Sequence, residues 1–171
     1  MPVYFHPALI PMEVQETYYM SDAYSWIVGA ELASAGYGWH SEVGIQIVRM
    51  ILSGIFDRLP NLKFISGHWG ETIPAFLERM DTILDQEITG LKKKVSEYYK
   101  EHVYITPSGI MSIDQLEYMV KLIGADHVMY AVDYPYMKPD NVYEFLMDSS
   151  LSDDEKELIA HGNAERILHL Q

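Results

Sequence analysis

Three apolar segments of the sequence end in side chains that can bind a metal ion or transfer a proton. The segment "PVYFHP" leads to His6, "KFISGH" leads to His68, and "HVMYAVDYP" contains Asp133 near its end. Imidazole and carboxylate together suit Zn²⁺, Mn²⁺ or Fe²⁺ better than Ca²⁺ or Mg²⁺. Such a site generates hydroxide or polarises a substrate oxygen, and histidine alone serves as a general acid or base. The residue types leave both chemistries open.

The elements that must position these side chains are strands of a parallel sheet. Apolar, strand-like segments at 2–7, 63–68, 103–109 and 127–135 alternate with amphipathic, helix-like segments. This alternation predicts an α/β fold with a parallel sheet covered by helices. The C-terminal ends of parallel strands form the ligand face. We therefore expect the polar residues at these ends to share one rim: His6, His68, Thr106, Ser108 and Asp133.

The helices between the strands are predicted from apolar periodicity and capping residues. Ser41 is a candidate N-cap for a helix that ends before Pro60. A second helix is predicted to begin at Glu71 and to bury one stripe of apolar side chains, which comprises Ile73, Phe76, Leu77, Met80 and Leu84. Residues 8–40, rich in Tyr and Gly, predict a long loop with a short helix.

Composition excludes several functional classes. The 171 residues are enough for one domain with its own core. The chain has no cysteine, which excludes disulfides and thiolate metal sites and makes a cytoplasmic location the default expectation. A formal net charge of −13 argues against nucleic acid or an anionic membrane as a partner. No apolar run approaches the ~20 residues of a membrane span.

Each candidate residue also has a structural interpretation. His6 could be a hydrogen-bonded strand-end residue, and Asp133 before Tyr-Pro could cap a turn. Glu71 could be a charge favoured by a helix N-terminus, and Arg79 a solvated helix residue. The remaining histidines are interpreted as surface or structural residues, with the Trp39–His40 pair the first to re-examine; they are His40, His102, His127, His161 and His169.

The motifs resemble one known family over essentially the whole chain. They are "PVYFHP", "GIFDRLPNLKFISGHWGETIPAFLERMD", "VYITPSG", "GADHVMYAVDYPY" and "GNAERILHL". They are similar to the amidohydrolase-related decarboxylases, which include γ-resorcylate, 5-carboxyvanillate and aminocarboxymuconate semialdehyde decarboxylases. The resemblance implies a TIM (β/α)8 barrel, of which residues 1–171 form a single domain covering about the last four β/α units. A complete barrel needs about 250 residues.

The resemblance also implies roles for individual residues. His6 and Asp133 match metal ligands, and Asp133 also matches a proton donor. His68 matches the acid–base histidine, and Glu71 matches the glutamate that orients it. Arg79 matches an arginine that binds the substrate carboxylate, in some members across a dimer interface. The implied partners are a divalent metal, Zn²⁺ or Mn²⁺, a small-molecule carboxylate substrate and further copies of the chain in a homo-oligomer.

The function expected from these roles is metal-dependent, non-oxidative decarboxylation of an aromatic or enol-type carboxylic acid. Metal-dependent hydrolysis of a lactone, ester or amide is an alternative, because the same groups serve that chemistry. A catalytically incomplete half barrel is another alternative. The family's first-strand ligands, Glu or His followed two residues later by His, have no counterpart here, and three protein ligands are usual at a catalytic metal.

Overall fold

A short parallel sheet forms the centre of the protein. The computed structural model describes residues 1–170, in which three strands pair in the order β1 (Val3–Phe5), β2 (Phe64–Ser66) and β3 (Val103–Ile105). In register, Val3 lies opposite Phe64, and Phe64 lies opposite Val103. The apolar, β-branched composition of these segments suits strands that are covered on both faces. The first three predicted strands are therefore present, each shorter than its apolar run.

The fourth predicted strand, 127–135, is reduced to an isolated parallel bridge between Ile105 and Val128. The segment still follows β3, because Met129 N donates to Ile105 O at 2.9 Å. On its other side, Tyr130 N donates to Ile159 O at 2.9 Å instead of to a further strand. The sequence therefore predicted the path of this segment correctly but not its sheet pairing.

Helices cover the sheet, with bounds that correct the sequence prediction in two regions. In the first region, residues 8–40 contain two α-helices, Met12–Tyr18 and Trp26–Glu31, where a long loop with one short helix was predicted, and the next helix begins early. The long helix, Gly38–Leu52, begins before Ser41, directly after Tyr37, whose φ of −168° lies outside the helical range. A Cβ at Gly38 would lie 2.2 Å from Ala33 O, so only glycine fits there. α-Helices span Met12–Tyr18, Trp26–Glu31, Gly38–Leu52, Ile55–Arg58, Leu77–Ile83, Gln86–Thr89, Val95–His102, Ile113–Ile123, Glu144–Met147, Asp153–Glu157 and Asn163–Leu168.

The second correction concerns the helix predicted from Glu71. A tight turn over residues 68–72 and a 3₁₀ helix, Ile73–Phe76, precede the α-helix Leu77–Ile83. Most of the predicted stripe is buried or half-buried, whereas the Phe76 side chain is 56% exposed. The 3₁₀ turn rotates Phe76 out of line with its neighbours because its period is three residues per turn instead of 3.6.

The two faces of the sheet pack differently. Phe64, Val103 and Ile105 face the helices and join the main apolar core. Ile65 and Tyr104, which alternate with them, join a smaller cluster with Met129, Ala164 and Ile167.

No helix within residues 1–170 is long and apolar enough to cross a membrane.

Candidate active site

The predicted rim residues lie at the C-terminal ends of the sheet segments. His6 directly follows β1, and His68 lies two residues after the end of β2. Thr106 directly follows β3, and its Oγ1 lies 2.7 Å from Ser108 Oγ. Asp133 follows the segment that hydrogen-bonds to β3, since Ser108 N donates to Ala131 O at 3.1 Å. The sheet thus presents its polar side chains at the edge expected for a ligand site in a parallel α/β protein.

A left-handed turn positions the central residues of this rim. His68, Trp69, Gly70, Glu71 and Thr72 all have positive φ, with values of 46°, 58°, 76°, 55° and 67°. Each non-glycine residue in this conformation costs about 1–2 kcal/mol. The turn is held by Trp69, whose backbone N donates to Thr106 O and whose Nε1 donates to Ile110 O, both at 2.9 Å. Strain retained in this way is typical of functional sites.

Two histidines share the carboxylate of Glu71. Glu71 is only 1% exposed. Its Oε1 lies 2.9 Å from His68 Nδ1, and its Oε2 lies 2.8 Å from His40 Nδ1. The two imidazole rings lie side by side, with their centroids 4.4 Å apart. Because a carboxylate only accepts hydrogen bonds, each Nδ1 carries hydrogen, and Nε2 is the nitrogen without hydrogen when the His68 ring is neutral.

His40 is the site residue that the sequence analysis did not assign. It lies in the first turn of the long helix, and its Nε2 is 3.0 Å from Ala35 O. The hydrogen bond to Glu71 raises the pKa of His40, and burial opposes this rise. The only sequence signal was the unusual Trp-His pair at a helix start, which does not identify a partner 31 residues away.

A small cleft of about 180 Å³ opens beside this network. His40, His68, Ser108 and Asp133 line it, together with Trp39. Trp39 Nε1 is buried and has no hydrogen-bond partner among residues 1–170. The cleft therefore brings two of the predicted site residues, His68 and Asp133, to one surface with hydrogen-bonding groups around them.

His6 and Arg79 do not line this cleft. His6 is exposed, and its Nδ1 lies 2.9 Å from Pro7 O, which leaves Nε2 free. Arg79 is exposed on the helix Leu77–Ile83 and takes part in no ion pair within residues 1–170. Among the described residues, the one group with the composition and spacing of a metal site is His40, His68 and Glu71, whose ligand atoms lie within 4.8 Å of one another. Here the Nδ1 atoms of both histidines hydrogen-bond to the carboxylate of Glu71.

Three other histidines are structural or at the surface, as the sequence predicted. His102 is buried, stacks on Phe56 and has its Nδ1 2.9 Å from Leu62 O. His127 has its Nδ1 2.9 Å from Val103 O. His161 is exposed between two carboxylates of its own helical segment. These contacts anchor loops and helix ends away from the cleft.

Comparison with curated proteins identifies relatives along the whole chain. A decarboxylase of Emericella nidulans (orsB) is 30% identical over 98% of this chain and 52% of its own length. γ-Resorcylate decarboxylase of Polaromonas sp. is 29% identical over 99% of this chain and 51% of its own length. The chain therefore spans about half the length of the curated relatives it matches.

Comparison with solved structures also finds proteins described as amidohydrolases or decarboxylases. A crystal structure from Staphylococcus aureus, described as an amidohydrolase, has a TM-score of 0.94 at 45% identity and is covered over 54% of its chain. 5-Carboxyvanillate decarboxylase from Sphingomonas paucimobilis has a TM-score of 0.86 at 34% identity, with 50% covered.

A dihydroxybenzoic acid decarboxylase from Polaromonas sp., described with bound manganese and the inhibitor 2-nitroresorcinol, has a TM-score of 0.84 at 27% identity. This chain covers 50% of that structure. The amidohydrolase family model matches residues 1–170. This protein therefore belongs to the amidohydrolase family, and its relatives include proteins named as decarboxylases.

Proposed function

We propose that the chain provides the acid–base half of a metal-dependent, non-oxidative decarboxylase that acts on an aromatic or enol-type carboxylic acid. The observation that carries the proposal is the pair His68 and Glu71 beside Asp133. Glu71 Oε1 lies 2.9 Å from His68 Nδ1, so that Nε2 is the ring nitrogen available for proton transfer. His68 and Asp133 line the same cleft. The relatives named as aromatic acid decarboxylases support this substrate class.

The donor set of the rim fits a divalent cation, Zn²⁺ or Mn²⁺. A metal-binding histidine usually donates its second ring N–H to a carbonyl or carboxylate. His6 has this arrangement, since its Nδ1 contacts Pro7 O. We propose His6 Nε2 and the Asp133 carboxylate as ligands, completed by groups from outside this chain, because three protein ligands are usual. The bound ion would supply Lewis-acid polarisation of the substrate oxygen next to the carboxylate. The manganese-bound relative supports Mn²⁺.

The chain's own residues would move the proton and hold the substrate. Decarboxylation adds a proton to the ring carbon that bears the carboxylate, so that this carbon becomes tetrahedral. The C–C bond then breaks, its electron pair returns to the ring, and CO₂ leaves. We propose that Asp133, or His68 through Nε2 after that nitrogen has accepted a proton, delivers the proton to the ring carbon, and that Glu71 keeps His68 in the required tautomer. Arg79, exposed on its helix, would bind a carboxylate in the site of a neighbouring copy.

The test is CO₂ release from 2,6-dihydroxybenzoate by this chain in the presence of Mn²⁺ or Zn²⁺. We expect activity that His68→Asn abolishes and that Glu78→Gln, an exposed change on a nearby helix, leaves intact. CO₂ release only from a longer polypeptide that contains this chain would support an incomplete half barrel. Turnover of a lactone without CO₂ would overturn the decarboxylase proposal in favour of a hydrolase.

We further propose that residues 1–171 form the last four β/α units of a (β/α)8 barrel and act in the cytoplasm. The observation that supports the half barrel is the exposed edge of strand β1, where Val3 and Tyr4 are 45% and 52% exposed. Unpaired edges with apolar side chains favour association with another polypeptide. The proposal predicts a homo-oligomer, and native mass spectrometry of the purified chain tests it. A monomer at micromolar concentration would contradict it.

A further inference from the structure

The contacts of His40 are those of a doubly protonated imidazole. Its Nδ1 faces Glu71 Oε2 at 2.8 Å, and its Nε2 faces Ala35 O at 3.0 Å. A carbonyl oxygen only accepts, and so does an ionised carboxylate. Imidazole is more basic than a carboxyl group by about two pH units, so the shared proton belongs on the histidine. Both hydrogen bonds of His40 are then donated.

The buried carboxylate of Glu71 needs such a partner. Glu71 is 1% exposed, and an unpaired charge at that depth is costly. His68 supplies one hydrogen bond to Oε1, and His40 supplies one to Oε2. The carboxylate is thereby fixed at both oxygens and cannot rotate away from His68.

The packing of the long helix keeps His40 in this position. Gly44 lies one turn after His40, and a Cβ there would approach Glu71 O to 2.8 Å. The absence of a side chain at residue 44 therefore allows the helix to lie directly against the left-handed turn. On the other side of the His40 ring, the carbonyl oxygen of Ala35 accepts a hydrogen bond from Nε2.

We propose that His40 is a positioning residue of this site: its hydrogen bond to Ala35 O anchors the ring, and its hydrogen bond to Glu71 holds that carboxylate where it fixes the Nδ1–H tautomer of His68. His68 Nε2 is then kept without hydrogen and available to accept a proton in the cleft. The role of this tautomer in catalysis rests on the proposed decarboxylase function, whereas the hydrogen-bond arrangement itself does not.

The test is long-range ¹H–¹⁵N NMR of the histidine rings in the metal-free chain, which reads the hydrogen on each nitrogen without any activity measurement. In the unmodified protein at neutral pH we expect hydrogen on both nitrogens of His40 and only on Nδ1 of His68. Hydrogen on only one of the two ring nitrogens of His40 would overturn the proposal, even if no variant folds.

Variants separate positioning from simple packing. His40→Leu keeps the volume but cannot donate, so we expect loss of the pure Nδ1–H tautomer of His68. His40→Asn places an amide N–H near the position of Nδ1 and should restore it. The matched control is His161→Leu, which removes an exposed histidine that also lies between two carboxylates. An unchanged His68 tautomer in His40→Leu would refute the positioning role, whether or not the chain releases CO₂.

Discussion

His40 and His68 lie on opposite oxygens of one buried carboxylate, with their rings 4.4 Å apart. One histidine comes from the start of a long helix and the other from a left-handed turn after a strand. Glu71 joins them, so the acid–base group of the proposed site depends on tertiary packing as well as on its own turn. This arrangement makes Glu71 the residue whose loss disturbs most of the site.

Glu71→Ala should destabilise the protein and inactivate it. Both Nδ1–H groups lose their acceptor, and a buried donor left without a partner costs about 1–3 kcal/mol. We expect the free energy of unfolding to fall by about 2–4 kcal/mol in urea titration, since two donors are affected. Glu78→Ala removes an exposed carboxylate nearby and should change stability by less than about 0.5 kcal/mol. Equal effects of the two substitutions would contradict the network described for Glu71.

The resemblance to the amidohydrolase-related decarboxylases implied the His68–Glu71 pair, and the two residues are three positions apart, where a local turn brings side chains together. The sequence did not predict His40, because that contact spans 31 positions and requires the close approach of helix and turn at Gly44. The left-handed turn was also missed. "GETIP" has the composition of a helix start, and runs of positive φ in non-glycine residues are too rare to expect.

The fourth strand shows a different limit of sequence reasoning. Its apolar run, 127–135, correctly indicated a segment beside β3 with Asp133 near its end. Whether such a run becomes a strand depends on hydrogen-bond partners on its other side, which the sequence of the run does not contain. Here Tyr130 N donates to Ile159 O instead, so the segment hydrogen-bonds to a strand on one side only.

His40 should make stability fall as the pH rises. The hydrogen bond to Glu71 raises its pKa in the folded protein above the ordinary value of 6.5. Its contribution is therefore complete below pH 6.5 and is lost as the pH rises through the raised pKa. In urea titrations across this range, the difference in midpoint between the unmodified protein and His40→Asn should narrow with increasing pH. A difference that widens would contradict the charged state of His40.

His102 should show the opposite dependence. Burial lowers its pKa below the ordinary value of 6.5, because the ring, stacked on Phe56, is shielded from the water that would stabilise its charge. Below pH 6.5 the unfolded chain then binds more protons at this position than the folded one, so stability falls as the pH decreases. Above pH 6.5 the contribution is complete. His102→Asn should flatten the acid side of the stability profile, and an unchanged acid side would exclude His102 as its source.

The indole N–H groups of buried Trp69 and half-buried Trp39 differ in hydrogen bonding. Trp69 Nε1 donates to Ile110 O at 2.9 Å, whereas Trp39 Nε1 has no partner among residues 1–170. Replacing either residue with Phe removes the N–H and a similar volume. Only Trp69→Phe loses a hydrogen bond, so it should be more destabilising by about 1 kcal/mol. Thermal or urea unfolding measures the difference. Equal losses would indicate that packing alone determines both values.

Gly44 tests whether the approach of the long helix to the turn controls the site. Gly44→Ala places a methyl group 2.8 Å from Glu71 O, a contact that requires the helix or the turn to move. Such overpacking costs about 1–3 kcal/mol. In Gly162→Ala the nearest atom would be Leu158 Cδ2 at 3.5 Å, and replacing a helical glycine by alanine gains about 0.5–1 kcal/mol. We expect opposite shifts in unfolding midpoint, with a changed His68 tautomer in Gly44→Ala alone. Because both substitutions add the same methyl group, a stability loss common to both would show that the close contact with Glu71 is not its cause.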